Sequence, residues 1–431
     1  MKKLINKHGI KILYFASLAG TGFSFLGSLK NSKLLSEEGF GDWKYLQNYI
    51  VFISYFVNFG LYSSGGRLIA ATDDQKKIRT YKGYMLYFAL SGMAFIIIST
   101  IISGLFFPKL LHENLFHLAF FLMPFFIVNP LTFYFEMTYQ GERKLGSLAV
   151  YRFVPAFTYV TLLYALESFS GGSIFYNAML YYVSYFVVFM ILIYYDKPIF
   201  KRNTSEWIDL RNQHKSYGIH LYWGSLWGVG AIYLLPILIG FFNINNVEVG
   251  HYGLALSFIM PLTMLPGIVS TSYFKQYINL QTIPKAAFKK VVFSSLALLL
   301  VLMFGTDYLI DVLFKSKYSE VAGLIKIGAP GAILHGMGDF VNKFLMAKGE
   351  SKYLKKVSIA VGIVQLISSL ILIKLFSATG GVVAKSLGSA VFFSCLFIFY
   401  YRKYVIGKSE GIKIVLQEEK SLDAVNTSSE Q

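Results

Sequence analysis

The chain has 431 residues, of which 55% are hydrophobic and only 15% are Asp, Glu, Lys or Arg, whereas an ordinary soluble domain carries about 25% charged residues. A water-soluble core cannot hide that much apolar surface, so the excess must face lipid. The formal net charge of +17 sits mostly between apolar blocks, which excludes a nucleic-acid surface as its reason, and the single cysteine, Cys395, excludes a disulfide framework.

Lys2, Lys3, Lys7 and Lys11 precede an apolar run of 18 residues, Ile12–Leu29. That run exceeds the roughly 7–15 residues of a signal-peptide core and is read as the first membrane span. Eleven further spans follow, each near the about 20 apolar residues that cross a bilayer. They are Tyr45–Ala71, Tyr84–Phe106, Leu115–Tyr139, Leu145–Leu166, Ile174–Tyr195, Gly218–Phe242, Gly250–Tyr273, Val291–Leu309, Val321–Met346, Val357–Phe376 and Gly381–Tyr401. From Lys408 to Gln431 the sequence has no sustained apolar face and is expected to be disordered.

The basic residues test this order. The N-terminus, the loops after even-numbered spans and the C-terminus hold 28 Lys and Arg, and the loops after odd-numbered spans hold 6. Positive residues stay inside, so an even number of spans with both termini cytoplasmic is expected. Gly141-Glu142-Arg143-Lys144 after span 4 is echoed by Gly349-Glu350-Ser351-Lys352 after span 10, at an offset of 208 residues. Gly41-Asp42-Trp43 and Gly250-His251-Tyr252 lie 209 apart at the starts of spans 2 and 8. Both pairs fall at equivalent points of two six-helix halves, which predicts a parallel repeat about an axis along the membrane normal. The expected organisation is an N-terminal bundle over 1–200, a linker over 201–216, a C-terminal bundle over 217–404 and a tail over 405–431.

Gly39-Phe40-Gly41-Asp42-Trp43, then Asn58-Phe59-Gly60-Leu61 and Arg67-Leu68-Ile69-Ala70, resembles the opening signature of the polysaccharide-exporter and O-antigen flippase family. That family belongs to the multidrug/oligosaccharidyl-lipid/polysaccharide exporter superfamily. Tyr252-Gly253-Leu254-Ala255, with Pro261-Leu262 and Leu265-Pro266, is similar to the family's eighth helix. The resemblance implies an all-α polytopic protein whose two six-helix bundles form a V around a central cavity, with alternating access. It implies a non-enzymatic flippase for a polyprenyl-diphosphate-linked oligosaccharide, such as an O-antigen or capsule repeat unit, in a bacterial cytoplasmic membrane. A glycan polymerase and a chain-length regulator are the expected partners, a proton or sodium ion the expected coupling species, and no cofactor is expected.

A diphosphate leaving water needs cations facing a wet cavity, and each intramembrane charge costs at least about 2.5–3.5 kcal/mol on insertion scales. Four bases are therefore candidate substrate ligands: Arg67 after Ser63-Ser64-Gly65-Gly66, Arg152 about two turns into span 5, and Lys326 and Lys385 in the outer parts of spans 10 and 12. Each has a plainer reading. Arg67, Lys326 and Lys385 can snorkel to a headgroup region, and Arg152 can pair with Glu136 on span 4. Lys374, at the very end of span 11, is read as snorkelling. Glu136 and Asp339 are the coupling candidates, although Asp339 also stands four residues from Lys343, the spacing of a local ion pair. His220, His251 and His335 do not have metal-site spacing. Trp223 and Trp227, among Gly224, Gly228 and Gly230, suit helix packing better than glycan stacking. Asn129-Pro130, Pro261 and Pro266 mark expected mid-membrane bends.

Two other functions compete. A drug or cation antiporter should line its cavity with acids, and span interiors here offer more bases. A glycan polymerase or acyltransferase needs a large outer loop or a His/Asp/Arg cluster, and the outer loops are short.

Overall fold

The computed structural model describes residues 2–167, 172–201, 205–277, 279–315 and 317–406. The tail expected to be disordered lies outside the described residues. Those described are all-helical. The first half holds α1 (Lys2–Leu34), α2 (Glu37–Asn58), α3 (Leu61–Ala70), α4 (Gln75–Phe106), α5 (Glu113–Leu122), α6 (Val128–Gly141), α7 (Leu145–Ala165) and α8 (Ile174–Asp196). After them come α9 (Ser205–Gln213), α10 (Ile219–Phe242), α11 (Val247–Tyr277), α12 (Lys285–Phe314), α13 (Ser319–Ala347) and α14 (Ser351–Tyr400).

Nine helices among the described residues are long and apolar enough to cross a membrane, and ten when α5 and α6, bent by 42°, form one broken span. The break falls around Phe126, four residues before Pro130, where the proline ring collides with the helical carbonyl. Pro261 and Pro266, by contrast, stay inside the continuous α11. α14 has 50 residues, about 75 Å at 1.5 Å per residue, more than twice the thickness of a hydrocarbon core. It is folded back at Ser377, whose φ of 51° and ψ of −128° are not helical. The Tyr353 ring stacks on Phe399 at 3.8 Å and Gly388 packs against Gln365, so the two arms are antiparallel passes.

α2 and α3 make the twelfth pass. The Tyr45 hydroxyl donates to the Leu110 carbonyl at 2.6 Å, in the loop before α5. Gly66 packs on the Met137 carbonyl near the end of α6, so the pair runs the same thickness as α5 and α6. Its helix breaks at Phe59 and Gly60, with φ of 42° and 73°. A Cβ on Gly60 would sit 2.0 Å from the Gly218 carbonyl oxygen, so only glycine permits this approach of α10. The stretch read as a linker contains α9, whose Trp207 ring packs on Tyr84 at 5.3 Å between centroids, tilted by 37°.

In the first bundle α1 packs on α7, α7 on α8, and α3 on α6; in the second, α13 packs between α11 and α14, with α10 also on α14. The seam between bundles runs along α2, which lies against α10 and α11. At one end the seam is polar: Asn246 donates to Asp42 at 2.8 Å, and Lys317 donates to the Ser32 and Leu35 carbonyls at 2.8 and 2.6 Å. Those carbonyls end α1, so a loop of the second bundle caps a helix of the first.

Candidate substrate-binding cavity

A cavity of about 300 Å³ lies on the seam, lined by Lys44, Gln47, Asn48, Asn129, Tyr181, Tyr233 and Tyr252 among others. These residues come from α2, α6, α8, α10 and α11, so both bundles build the wall. On sequence alone the apolar run starts at Tyr45, which leaves Lys44 in a loop. The helix in fact begins at Glu37. Ser36 caps it by accepting from the Gly39 amide at 3.0 Å, and Glu37 and Glu38 complement the dipole in its first turn. Lys44 is therefore two turns inside α2. Gly253 leaves room for its aliphatic stem, since a Cβ there would lie 3.2 Å from Lys44 Cγ. The ammonium sits 5.4 Å from the Phe40 ring centroid, and among the described residues no carboxylate pairs with it. Asn129 faces the same space, beside Tyr182. An ammonium among amides and tyrosines in one cavity favours an anionic or oxygen-rich ligand.

A second cavity, about 310 Å³, lies within the other bundle and shares Leu256 of α11 as a wall with the first. Lys385 is its cation, set among Ser257, Thr263, His335, Ser386 and Ser389. Gly331 allows the Ser386 strip of α14 to approach α13, as a Cβ would fall 2.2 Å from the Ser386 hydroxyl. Lys385 too has no ion-pair partner among the described residues. A smaller space of about 100 Å³ continues past His335 and Lys385 to Gln365, whose buried amide nitrogen is unpartnered.

The other predicted ligands stand elsewhere. Arg152 grips Glu136 with two guanidinium nitrogens and donates a third bond to Ser17 at 3.0 Å. This is the ion pair that the sequence offers as the alternative to ligand contact. Arg67 is exposed at the end of α3 and lies over the Tyr217 ring at 4.7 Å. Lys326 pairs with Asp307, and Lys374 is exposed. Asp339 does not pair with Lys343; it accepts from Asn342 at 3.4 Å and leans on Gly267 of α11, whose missing Cβ makes the space. His220, Trp223 and Trp227 are exposed on their helices.

One cluster escaped the sequence reading. Lys82, 1% exposed, is clamped between Glu142 and Asp196, with Asp196 at 2.9 Å, and Lys144 closes on Glu142 from outside. It ties α4, the α6–α7 turn and the end of α8 together. At the matching turn of the second bundle, Glu350 takes Lys403 at 2.6 Å and the Tyr404 hydroxyl at 2.6 Å. Those two donors hold the Glu350 carboxyl below the usual carboxylate range. On the opposite face, hydrogen bonding to Asp42 raises the His112 imidazole above its ordinary value.

This fold is known in other proteins. The chain matches a structure described as lipid II flippase MurJ in an inward closed conformation, with a TM-score of 0.68 and 13% identity over 95% of this chain and 92% of that one. It matches an inward-facing multidrug resistance MATE family transporter of the MOP superfamily at a TM-score of 0.66 and 12% identity, over 92% and 98% of the two chains. A MOP superfamily transporter from Pyrococcus furiosus, described as having a binding pocket of reverse polarity, gives 0.58 at 12% identity, over 94% and 96%. At such identities the likeness concerns the fold, which these relatives display in inward-closed, inward-facing and, for another MATE transporter, outward-facing forms. A search of curated protein sequences gave no match. Residues 7–275 match the family described as polysaccharide biosynthesis protein, and the chain, a multi-pass membrane protein with a flippase-type fold, belongs to that family.

Proposed function

We propose that the protein flips a polyprenyl-diphosphate-linked oligosaccharide across a bacterial cytoplasmic membrane, with both termini cytoplasmic. The observation that carries this reading is Lys44: a cation with no carboxylate partner among the described residues, facing a tyrosine- and amide-lined cavity between the two bundles. Diphosphate would replace water with Lys44 and, one wall away, Lys385, while sugars meet Tyr181, Tyr233 and Tyr252 and the prenyl tail stays in lipid. Arg67, exposed near the charged face, would gather the headgroup before it enters. Arg152, held by Glu136, would keep α7 docked on α1 and α6. Rocking of the bundle over 1–200 against that over 217–404 would alternate access, with Asp339 the acid placed to exchange a coupling ion. O-antigen and capsule repeat units are the substrates of this class, and a glycan polymerase acting on the flipped product is the natural partner.

The test is a flipping assay in proteoliposomes with defined lipid-linked glycans and imposed ion gradients. Lys44→Ala should reduce flipping at least tenfold while Lys44→Arg retains part of it. Full activity of Lys44→Ala would sink the reading. A cation antiporter would instead bind its substrate better when Lys44 is neutral.

A further inference from the structure

At the end of the seam opposite the termini, His251 of α11 is buried to 4% exposure among three carboxylates. Its Nε2 lies 3.2 Å from Glu37 Oε2, across the seam on α2. Its Nδ1 faces Glu320 Oε2 at 3.5 Å and makes no hydrogen bond. Glu248, one turn before His251, completes the group, and one ligand atom each from Glu248, His251 and Glu320 lie within 4.8 Å of one another.

With Nε2–H donated to Glu37, the neutral ring presents the Nδ1 lone pair to carboxylate oxygens. A buried lone pair facing anions is repulsive unless a proton or a metal cation stands between them, and the third donor, Glu248, completes a metal's ligand set, which a proton does not need. We infer that Glu248, His251 and Glu320 form a site for a divalent transition-metal cation of the zinc class, with Glu37 orienting His251 from the other bundle.

Imidazole nitrogen selects zinc-like cations over calcium or magnesium, which take oxygen ligands. Metal–ligand bonds of about 2.0–2.2 Å bring donor atoms about 3.4 Å apart in tetrahedral geometry. Glu320, exposed at the start of α13, is free to close that remaining distance, and its exposure leaves a coordination position for water. The carboxylate–histidine–metal relay makes Glu37 part of the affinity without making it a ligand. Because Glu37 belongs to the first bundle and the ligands to the second, the bound cation would fasten the bundles at this end.

Untagged full-length protein in detergent, stripped of metal and titrated with Zn²⁺ at neutral pH, should bind one equivalent and gain thermal stability. Co²⁺ in its place should give a visible ligand-field band. His251→Ala should abolish the band and the tight binding. Glu320→Gln should weaken binding at least tenfold, and Glu37→Gln about 10–100-fold. No saturable Zn²⁺ binding, equal preference for Ca²⁺, or wild-type affinity in Glu320→Gln would overturn the site. Glu320 is exposed, so its variant decides the matter even if His251→Ala does not fold.

Discussion

Two regions of the molecule bury lysine in opposite ways. Lys82 is sealed at one end of the first bundle with two carboxylates closed on it, and it is 1% exposed. Lys44 and Lys385 keep partial exposure and line cavities, with no ion-pair partner among the described residues. A buried charge must be neutralised by something. Lys82 carries its counter-ions in the fold; for Lys44 and Lys385 the function proposed above has the substrate's diphosphate supply them. On that proposal the contrast separates a cation that holds structure from cations that take a ligand, although all three are lysines within or beside apolar helices.

The contrast is broken most directly by removing the charges. Lys82→Ala leaves Glu142 and Asp196 buried without their cation and should cost about 3–5 kcal/mol of stability, read as a large fall in melting temperature and in membrane yield. If Lys82→Ala melts like the parent, the sealed cluster is not structural. Lys44→Ala and Lys385→Ala should do the reverse. Thermal stability should change by less than about 1 kcal/mol, since no partner is stranded, while glycan flipping falls at least tenfold. A loss of stability equal to that of Lys82→Ala would place these lysines in the same class and end the comparison.

The Arg152–Glu136 pair lies between the extremes, with side chains 33% and 22% exposed. Partial exposure screens it, so a double-mutant cycle with Arg152→Ala and Glu136→Gln should return a coupling of about 1 kcal/mol. Additive effects would show that the two side chains act separately, leaving Arg152 available to substrate.

The smallest effect belongs to Glu350 and Lys403. The folded carboxyl titrates below its unfolded value, so the pair's contribution is fully present above the unfolded value and disappears as pH falls through the folded one. With Lys403 half exposed it should amount to under about 1 kcal/mol, seen as a shallower acid limb of melting temperature against pH in Glu350→Gln. An unchanged acid limb would show that the interaction contributes nothing to stability.

Much of this architecture is legible in the amino-acid sequence. Apolar runs located the passes, but their starts came two turns or more late where a helix opens on polar residues, as at Glu37 and Gln75, and Arg152 with Glu136 was readable as a pair because a tight turn brings α6 and α7 back along each other. Pro130 announced the broken pass. Lys44 was hidden for a physical reason. Lys44, Gln47 and Asn48 are polar because they line the cavity, and that polarity trims the start of the hydropathy signal to Tyr45. The same polarity helps keep α2 out of the helices apolar enough to cross on composition alone, and α3, with 10 residues, is too short to cross by itself. The pass that lines the seam cavity is thus the one that hydropathy describes worst.

The sequence by itself determined that the chain lives in lipid, that it is helical throughout its passes, and the expected side for its basic loops, because these depend on properties of each segment taken alone. Which cation found a carboxylate was decided only by the tertiary structure. Lys44 and Lys82 differ in the azimuth of a side chain about its helix and in what the neighbouring helix presents there. His251 meets Glu37 and Glu320 only because α2, α11 and α13 converge, and no local spacing in the chain encodes that meeting.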